Sequence, residues 1–299
     1  MSRGGRDDDR ADVRETSEAR KPPERAVPRE RSKPTGDVFT RGLTLPCGEE
    51  REPVEFRDRT YALDGSDTRA LATVGAFRVV DTGDFEAQEH ARAGSRDDWR
   101  HLREEGLVTH TTLTDREGSH HVVSLTREGK DLLDAHATTR ADSRQQAFYA
   151  GVVKPRELAH DARLYGVFRE EVREIDREGG RVTRVVLDHE VKREYQQFLN
   201  RRDRPADADL EHDRLAFARA HDLTVVNGHL QLPDLRIEYE TEDGRLEYRD
   251  VELVTEHYSR GQVSDKTQAG FTCYRAGGRS GEARTGGSPF DPRHLERLR

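Results

Sequence analysis

Cysteine, methionine, tryptophan and long apolar runs are all scarce in this chain. Its 299 residues contain two cysteines, one methionine and one tryptophan, and aromatic residues make up 6%. Cys47 and Cys273 stand far apart, which excludes a disulfide framework and a thiolate zinc cage built from this chain alone. No apolar stretch approaches the roughly 18 residues needed to span a bilayer, and the start "MSRGGRDDDRADVRE" lacks the apolar core of a signal peptide. A soluble cytoplasmic protein with reduced thiols and no membrane partner is the expectation. Lysine is also sparse beside arginine, a bias that genomic base composition explains as well as phosphate binding does.

What is abundant is charge. Charged residues make up 37% and hydrophobic ones 32%, with a net charge of −8. Such a balance predicts unfolded segments and argues against a general nucleic-acid coat, although local basic stripes still dock phosphates on an acidic protein. The pattern divides the chain into a mostly disordered arm over 1–62, a first module over 63–140, a second over 150–276 and a flexible tail over 277–299. Part of the arm, "RGLTLPCGEEREPVEFRDRTYALDG", is expected to lie extended on the folded body.

In the first module "SDTRALATVGAFRVV" predicts a helix capped by Ser66 or Asp67. After a short acidic segment, "ARAGSRDDWRHLREEGLV" predicts a second, capped at Ser95 and stopped at Gly106. Two strand-like runs, "LVTHTTLTD" and "HHVVSLT", flank the turn "REGS", and the helix "REGKDLLDAHA" closes the unit. Helices, a hairpin and a closing helix make a winged helix-turn-helix pattern. Its second helix would carry Arg92, Arg96, Arg100 and Arg103 at helical spacing toward duplex DNA, with Arg116 at the wing tip. The competing reading is a solvated face on which Asp97, Asp98, Glu104 and Glu105 neutralise those arginines. Acidic residues outnumber basic ones between Asp64 and Asp134, so a winged-helix interaction module without a nucleic-acid role stays open.

The second module opens with "ELAHDARLYGVFREEVREIDREGG", whose Leu158, Tyr165, Phe168, Val172 and Ile175 form one apolar stripe ended by Gly179 and Gly180. The strand "RVTRVVLD", the helices "HEVKREYQQFLNRR" and "LEHDRLAFARAHD", the run "LTVVNG", a hairpin over Leu232–Val254 and the helix "SDKTQAGFTCYR" make a mixed α/β unit. The whole is therefore expected to be α+β.

The hairpin "LPDLRIEYETEDGRLEYRDVELV" carries more carboxylate than a hairpin needs. A two-residue turn at Asp243-Gly244 opposes Tyr239 to Tyr248 but then sets Ile237 against Asp250. A one-residue bulge near Arg249–Asp250 would repair the apolar parity, pairing Ile237 with Val251 and Leu235 with Leu253. It would also bring Glu252 to the face of Asp234, Arg236 and Glu238, close enough for carboxylates to share a divalent ion.

"PDLRIEYETEDGRLEYRDVELVTEHYSRGQVSDKTQAGFTCY" resembles the PD-(D/E)XK nuclease-like core, in which an Asp after Pro begins one strand and a Glu on the next completes a Mg²⁺ site. A winged helix followed by such a domain is similar to the replication-relaxation family, associated with plasmid and conjugative-element DNA. The resemblance spans about Ser66 to Tyr274 and implies Asp234 and Glu252 as metal ligands and catalytic residues. Val254 stands where the motif lysine is expected, and Lys266 on the following helix is the candidate to replace it. The core's final strand is hard to place, because "RAGGRSGEARTGGS" follows Tyr274. The resemblance implies a DNA-binding factor with a degenerate nuclease-like domain, accessory or regulatory in replication or transfer of mobile DNA, with a Mg²⁺-dependent endonuclease as the alternative. Double-stranded DNA is the expected partner, and a homodimer would suit a palindromic site.

"TEHYSRG" puts Glu256, His257, Tyr258 and Arg260 beside this site, as a solvated loop or a phosphate contact. The histidines, His160 among them, lack the paired spacing of a zinc helix and read as surface residues. No "GXSXG" nucleophile elbow is present.

Overall fold

The computed structural model describes residues 38–89, 98–115, 118–138, 145–151, 157–202, 209–255 and 258–275. The architecture is mixed α and β, with several sheets. Two strands, β1 (Glu52–Phe56) and β2 (Arg59–Leu63), form an antiparallel hairpin where the sequence reading expects only an extended arm. Alternation explains it: Val54, Tyr61 and Leu63 all turn inward and are buried.

Helix α1 (Gly65–Phe77) is capped by Asp64, not by Ser66 or Asp67. The Asp64 carboxylate accepts the Ser66 and Asp67 amides at 2.8 and 2.9 Å, and Asp67 returns a bond to the Asp64 amide, a reciprocal capping box. Strand β3 (Val80–Asp81) leads to α2 (Thr82–Glu89), a helix in the segment read only as acidic. Phe85 is its buried anchor.

Helix α3 (Asp98–Glu104) stops as expected at Gly106. There φ is +76°, the Gly106 amide donates to Arg103 and the Leu107 amide to Leu102, the paired bonds of a Schellman end. The expected Ser95 cap lies outside the described residues. Strands β4 (Val108–Asp115) and β5 (Gly118–Leu125) pair in unbroken register, and β3 joins β5 to give the order β3-β5-β4. Helix α4 (Arg127–Ala135), capped by Thr126, completes this half.

All five expected stripe residues of α5 (Leu158–Arg177) are buried. The stripe is shared by both halves: Leu158 packs with Val79 and Val122, the Tyr165 and Phe168 rings lie 5.2 and 5.0 Å from Phe77, and Val172 and Ile175 join the core beneath the second sheet. One hydrophobic core thus runs from Val38 to Leu253. The stretch before α5 is packed as well, with Phe148 buried and the Tyr149 amide bonded to the Gly75 carbonyl.

The second sheet consists of β6 (Arg181–Leu187), β9 (Leu235–Glu240), β10 (Leu246–Val254) and β11 (Thr272–Arg275) in the order β11-β10-β9-β6. Between β6 and β9 run α6 (Asp188–Leu199), α7 (Leu210–Ala220) and the small hairpin of β7 (Val225–Val226) and β8 (His229–Leu230). The first three large strands are antiparallel neighbours, and α8 (Arg260–Gln268) carries the chain across so that β11 runs parallel to β10. The segment read as one helix, "SDKTQAGFTCYR", is therefore the end of α8, a turn at Gly270 with φ +90°, and the edge strand. The helix starts earlier than expected because Ser259 and Gln262 form a capping box.

The β9–β10 hairpin differs from expectation in where its extra residue lies. No bulge interrupts the strands near Arg249–Asp250; pairing is regular from Leu246–Glu240 to Val251–Leu235. Instead the Gly244 amide donates to the Thr241 carbonyl and the Thr241 amide to the Arg245 carbonyl, with Gly244 at φ +81°. A three-residue loop closed by a left-handed glycine replaces the two-residue turn. That shifts the register at the turn, so Tyr239 faces Glu247, Ile237 faces Arg249 and Leu235 faces Val251.

Candidate active site

Alternation along the shifted register puts Leu235, Ile237, Val251 and Leu253 on the α5 side, all in the main core. The opposite face receives Arg236, Glu238, Asp250 and Glu252. Continuing the pairing one step past Leu235–Val251 sets Asp234 across from Glu252. The expected shared face therefore arises, through the turn and not through a bulge.

This second face is a layer of buried charge. Arg236 makes a two-pronged contact with Asp250 at 2.7 and 2.8 Å and also donates to the carbonyls of His221 and Asp222 at the end of α7. Arg184 reaches Glu190 and lies 3.6 Å from Glu238. Each ion here is compensated, as burial requires.

Asp234 is held by three elements. Its Oδ2 accepts the Leu253 amide of β10 at 2.8 Å and lies 3.2 Å from Nε2 of His160 on α5. Its carbonyl accepts the Asp188 amide at the start of α6. His160 also meets Asp161 at 3.3 Å. Although desolvation works against its charge, these two carboxylates push His160 up to about 10. Lys192, one turn into α6, bonds Asp188. Against its own desolvation it is held above the ordinary lysine range by Asp188 and, more weakly, by Asp234.

Glu252 is 1% exposed. Its Oε1 accepts the Tyr258 hydroxyl at 2.7 Å and lies 3.0 Å from Lys266 Nζ, while Oε2 is buried without a hydrogen-bond partner. Burial pushes its carboxyl up, and the charge of Asp234 adds to that; Lys266 and Tyr258 oppose it. Burial and the Glu252 acceptor raise the Tyr258 phenol as well. Lys266 also donates to the Leu232 carbonyl at 2.6 Å and sits 5.2 Å from the centre of the Phe271 ring.

Asp234, Glu252 and Lys266 thus converge, the lysine arriving from the crossover helix. Spacing does not reveal His160 and Lys192: each looks like any polar helical residue until α5 and α6 bring their first turns to Asp234. Tyr258 lies in the segment flagged beside the site, whereas Glu256 and His257 lie outside the described residues. Among the described residues no group of three or more His, Cys, Asp or Glu side chains is placed to hold a metal ion. The orphaned Glu252 oxygen, on a residue whose carboxyl feels the charge of Asp234, nonetheless suits a cation held by two carboxylates.

On α3, Trp99 and Leu102 are buried, Trp99 against Phe85 at 4.7 Å between ring centres. Arg100 and Arg103 are exposed, and Arg100 bonds Glu104 at 2.9 Å one turn on, the neutralising contact weighed above. Arg92, Arg96 and Arg116 lie outside the described residues. No protein-family model, curated protein or solved structure matches the chain.

Proposed function

We propose that the protein is a DNA-associated factor in which the first half is a winged helix that binds duplex DNA and the second is a nuclease-like domain with little or no hydrolytic activity. The observation that carries this reading is the order α1, β3, α2, α3, β4, β5. In it α3 fixes itself to the core through Trp99 and Leu102 and leaves Arg100 and Arg103 outward. A helix so anchored, followed by a two-stranded wing, is the geometry that lays arginines on phosphates and base edges. The nuclease-like part of the reading is supported by β11, the final strand that the family resemblance requires, and by Asp234 opposite Glu252. Weak hydrolysis is favoured because the site's cations are already engaged: Lys266 with Glu252 and Leu232, His160 with Asp234. An accessory or regulatory role in replication or transfer of mobile DNA follows from that resemblance. Fluorescence-anisotropy titration of duplex DNA with the full chain tests it. Binding that weakens with added salt is expected, and no binding at low salt removes the reading.

A second reading, Mg²⁺-dependent DNA hydrolysis, is favoured by one observation, the buried Glu252 Oε2 that has no hydrogen-bond partner. Asp234 and Glu252 would hold the ion, which when bound polarises a phosphate and lowers the pKa of a water. The chain's own part is to orient: His160 and the Leu253 amide hold Asp234, and Tyr258 with Lys266 holds Glu252 by Oε1 and leaves Oε2 without a partner. A nicking assay of supercoiled DNA with Mg²⁺ or with chelator separates the readings. Cleavage that needs Mg²⁺ and vanishes in Glu252→Ala establishes hydrolysis; no cleavage in either leaves the binding role.

A further inference from the structure

The sheets treat their edges differently. A free strand edge offers a row of unpaired amides and carbonyls, and proteins blunt it by shortening, charging, bulging or covering it. The β6 edge is covered: the Gln146 side chain accepts the Val185 amide at 2.9 Å and donates to the Val185 carbonyl at 3.0 Å, and Arg41 donates to the Val182 carbonyl. The β11 edge is only four residues long, and the β3 edge only two. Strand β4 is not blunted in these ways: Trp99 of α3 lies 6.4 Å from the His110 ring, but among the described residues no group bonds the backbone of its outer edge. It is eight residues long, lies at the end of its sheet, pairs with β5 without a bulge, and from Val108 to Thr114 contains no proline and no charged residue.

The direction of its free groups follows from the ladder. The Thr126 amide donates to the Leu107 carbonyl, one step beyond the Val108–Leu125 pair. Hydrogen-bonded pairs alternate along an antiparallel ladder. Thr109, Thr111 and Leu113 therefore bond toward β5, while the backbone groups of Val108, His110, Thr112 and Thr114 point outward. Among the described residues no strand lies on that side.

We propose that this edge pairs with the same edge of a second copy of the chain, antiparallel about Thr111. In that register Val108 faces Thr114, Thr109 faces Leu113, His110 faces Thr112 and Thr111 faces itself. Every outward amide then meets an outward carbonyl. Every pair contains at least one β-branched residue, and none opposes like charges, the kind that favours an antiparallel ladder. Among the described residues each copy has one such edge, so pairing closes at two and joins both three-stranded sheets into one of six strands, a self-complementary contact. The inference is independent of the proposed function, because it rests on the edge of β4 and on no contact with DNA.

Sedimentation velocity of the full chain, freed of nucleic acid and run over a dilution series, tests it. Thr112→Pro removes an outward amide that β5 does not use, and Thr112→Lys sets a charge in the contact without touching the backbone. Ser119→Lys, on the interior strand β5, is the control. The native chain and Ser119→Lys are expected to sediment as dimers. Both Thr112 variants should dissociate at about tenfold higher concentration or more, equivalent to about 1.4 kcal/mol, with unchanged circular dichroism. If Thr112→Pro unfolds, Thr112→Lys decides. A native chain that is monomeric throughout, or a Thr112→Lys dimer as tight as the native one, overturns the proposal.

Discussion

The two larger sheets share α5 and one core, yet they are built on opposite principles. Around β3-β5-β4 the buried side chains are mostly apolar, with Leu71, Phe77, Leu102, Val123 and Leu132 all inaccessible. The second sheet has a mostly apolar face against α5, where Arg249 and Tyr274 also bond the buried Glu171, and an opposite face of buried ions, among them Arg184, Arg236, Glu238 and Glu252, with Glu190 of α6. An ion layer of this kind contributes little net stability, because desolvation offsets most of the attraction. It does hold charged groups in fixed positions. The lesson is that the first half leaves charged groups such as Arg100 and Arg103 of α3 exposed, whereas the second encloses its own.

If that contrast is right, removing one buried ion should cost the most. Arg236→Met strands Asp250 and two carbonyls, and a loss of about 3–5 kcal/mol is expected in chemical denaturation. Adding Asp250→Leu should restore part of it. A cost no larger than that of a surface substitution would mean that the layer is wetter than the structure has it.

In the first half the sensitive quantity is space. A methyl group added at Gly129 would run into the Leu107 carbonyl, so Gly129→Ala should lose about 1–3 kcal/mol, the usual cost of overpacking. The loss should not change with pH or salt, in contrast to Arg236→Met.

The enclosed charges should also show in pH dependence. His160 is raised from 6.5 to about 10 in the folded protein, so protons bind the folded state more tightly. Its contribution is full below pH 6.5 and is lost as pH rises through about 10. His160→Gln should therefore be less stable than the native chain at pH 6 by about 1.5 kcal/mol, the low end for a hydrogen bond to a charged group, and the gap should close toward pH 10. A gap constant across that range would show that the ring is held neutral.

Particular residues show how much of this the sequence reveals. The α5 stripe, the glycine stop of α3 and the β4–β5 hairpin follow from period and turn chemistry, which act locally. Apolar parity alone requires one extra residue in the β9–β10 hairpin and thereby brings Glu252 to the face of Asp234. Its location at Gly244 is hidden because Asp243-Gly244 suits both a two-residue turn and a three-residue loop. Helix α2 is nearly all polar outside Phe85, so no period announces it. The second helix–strand boundary, at Gly270, fails for a related reason: α8 buries only Val263, and "TCYR" is too short to alternate visibly. His160 and Lys192 join the site through packing of distant helices, which no spacing records.

The outward chemistry of α3 is tested most directly by the salt dependence of duplex DNA binding in the native chain and in the Arg100→Ala/Arg103→Ala variant. Each phosphate contact adds about 0.9 to the slope of log K against log salt. The variant is expected to bind more weakly and with a slope smaller by about 1.8. An unchanged slope and affinity would contradict the assignment of α3 as the DNA-facing helix.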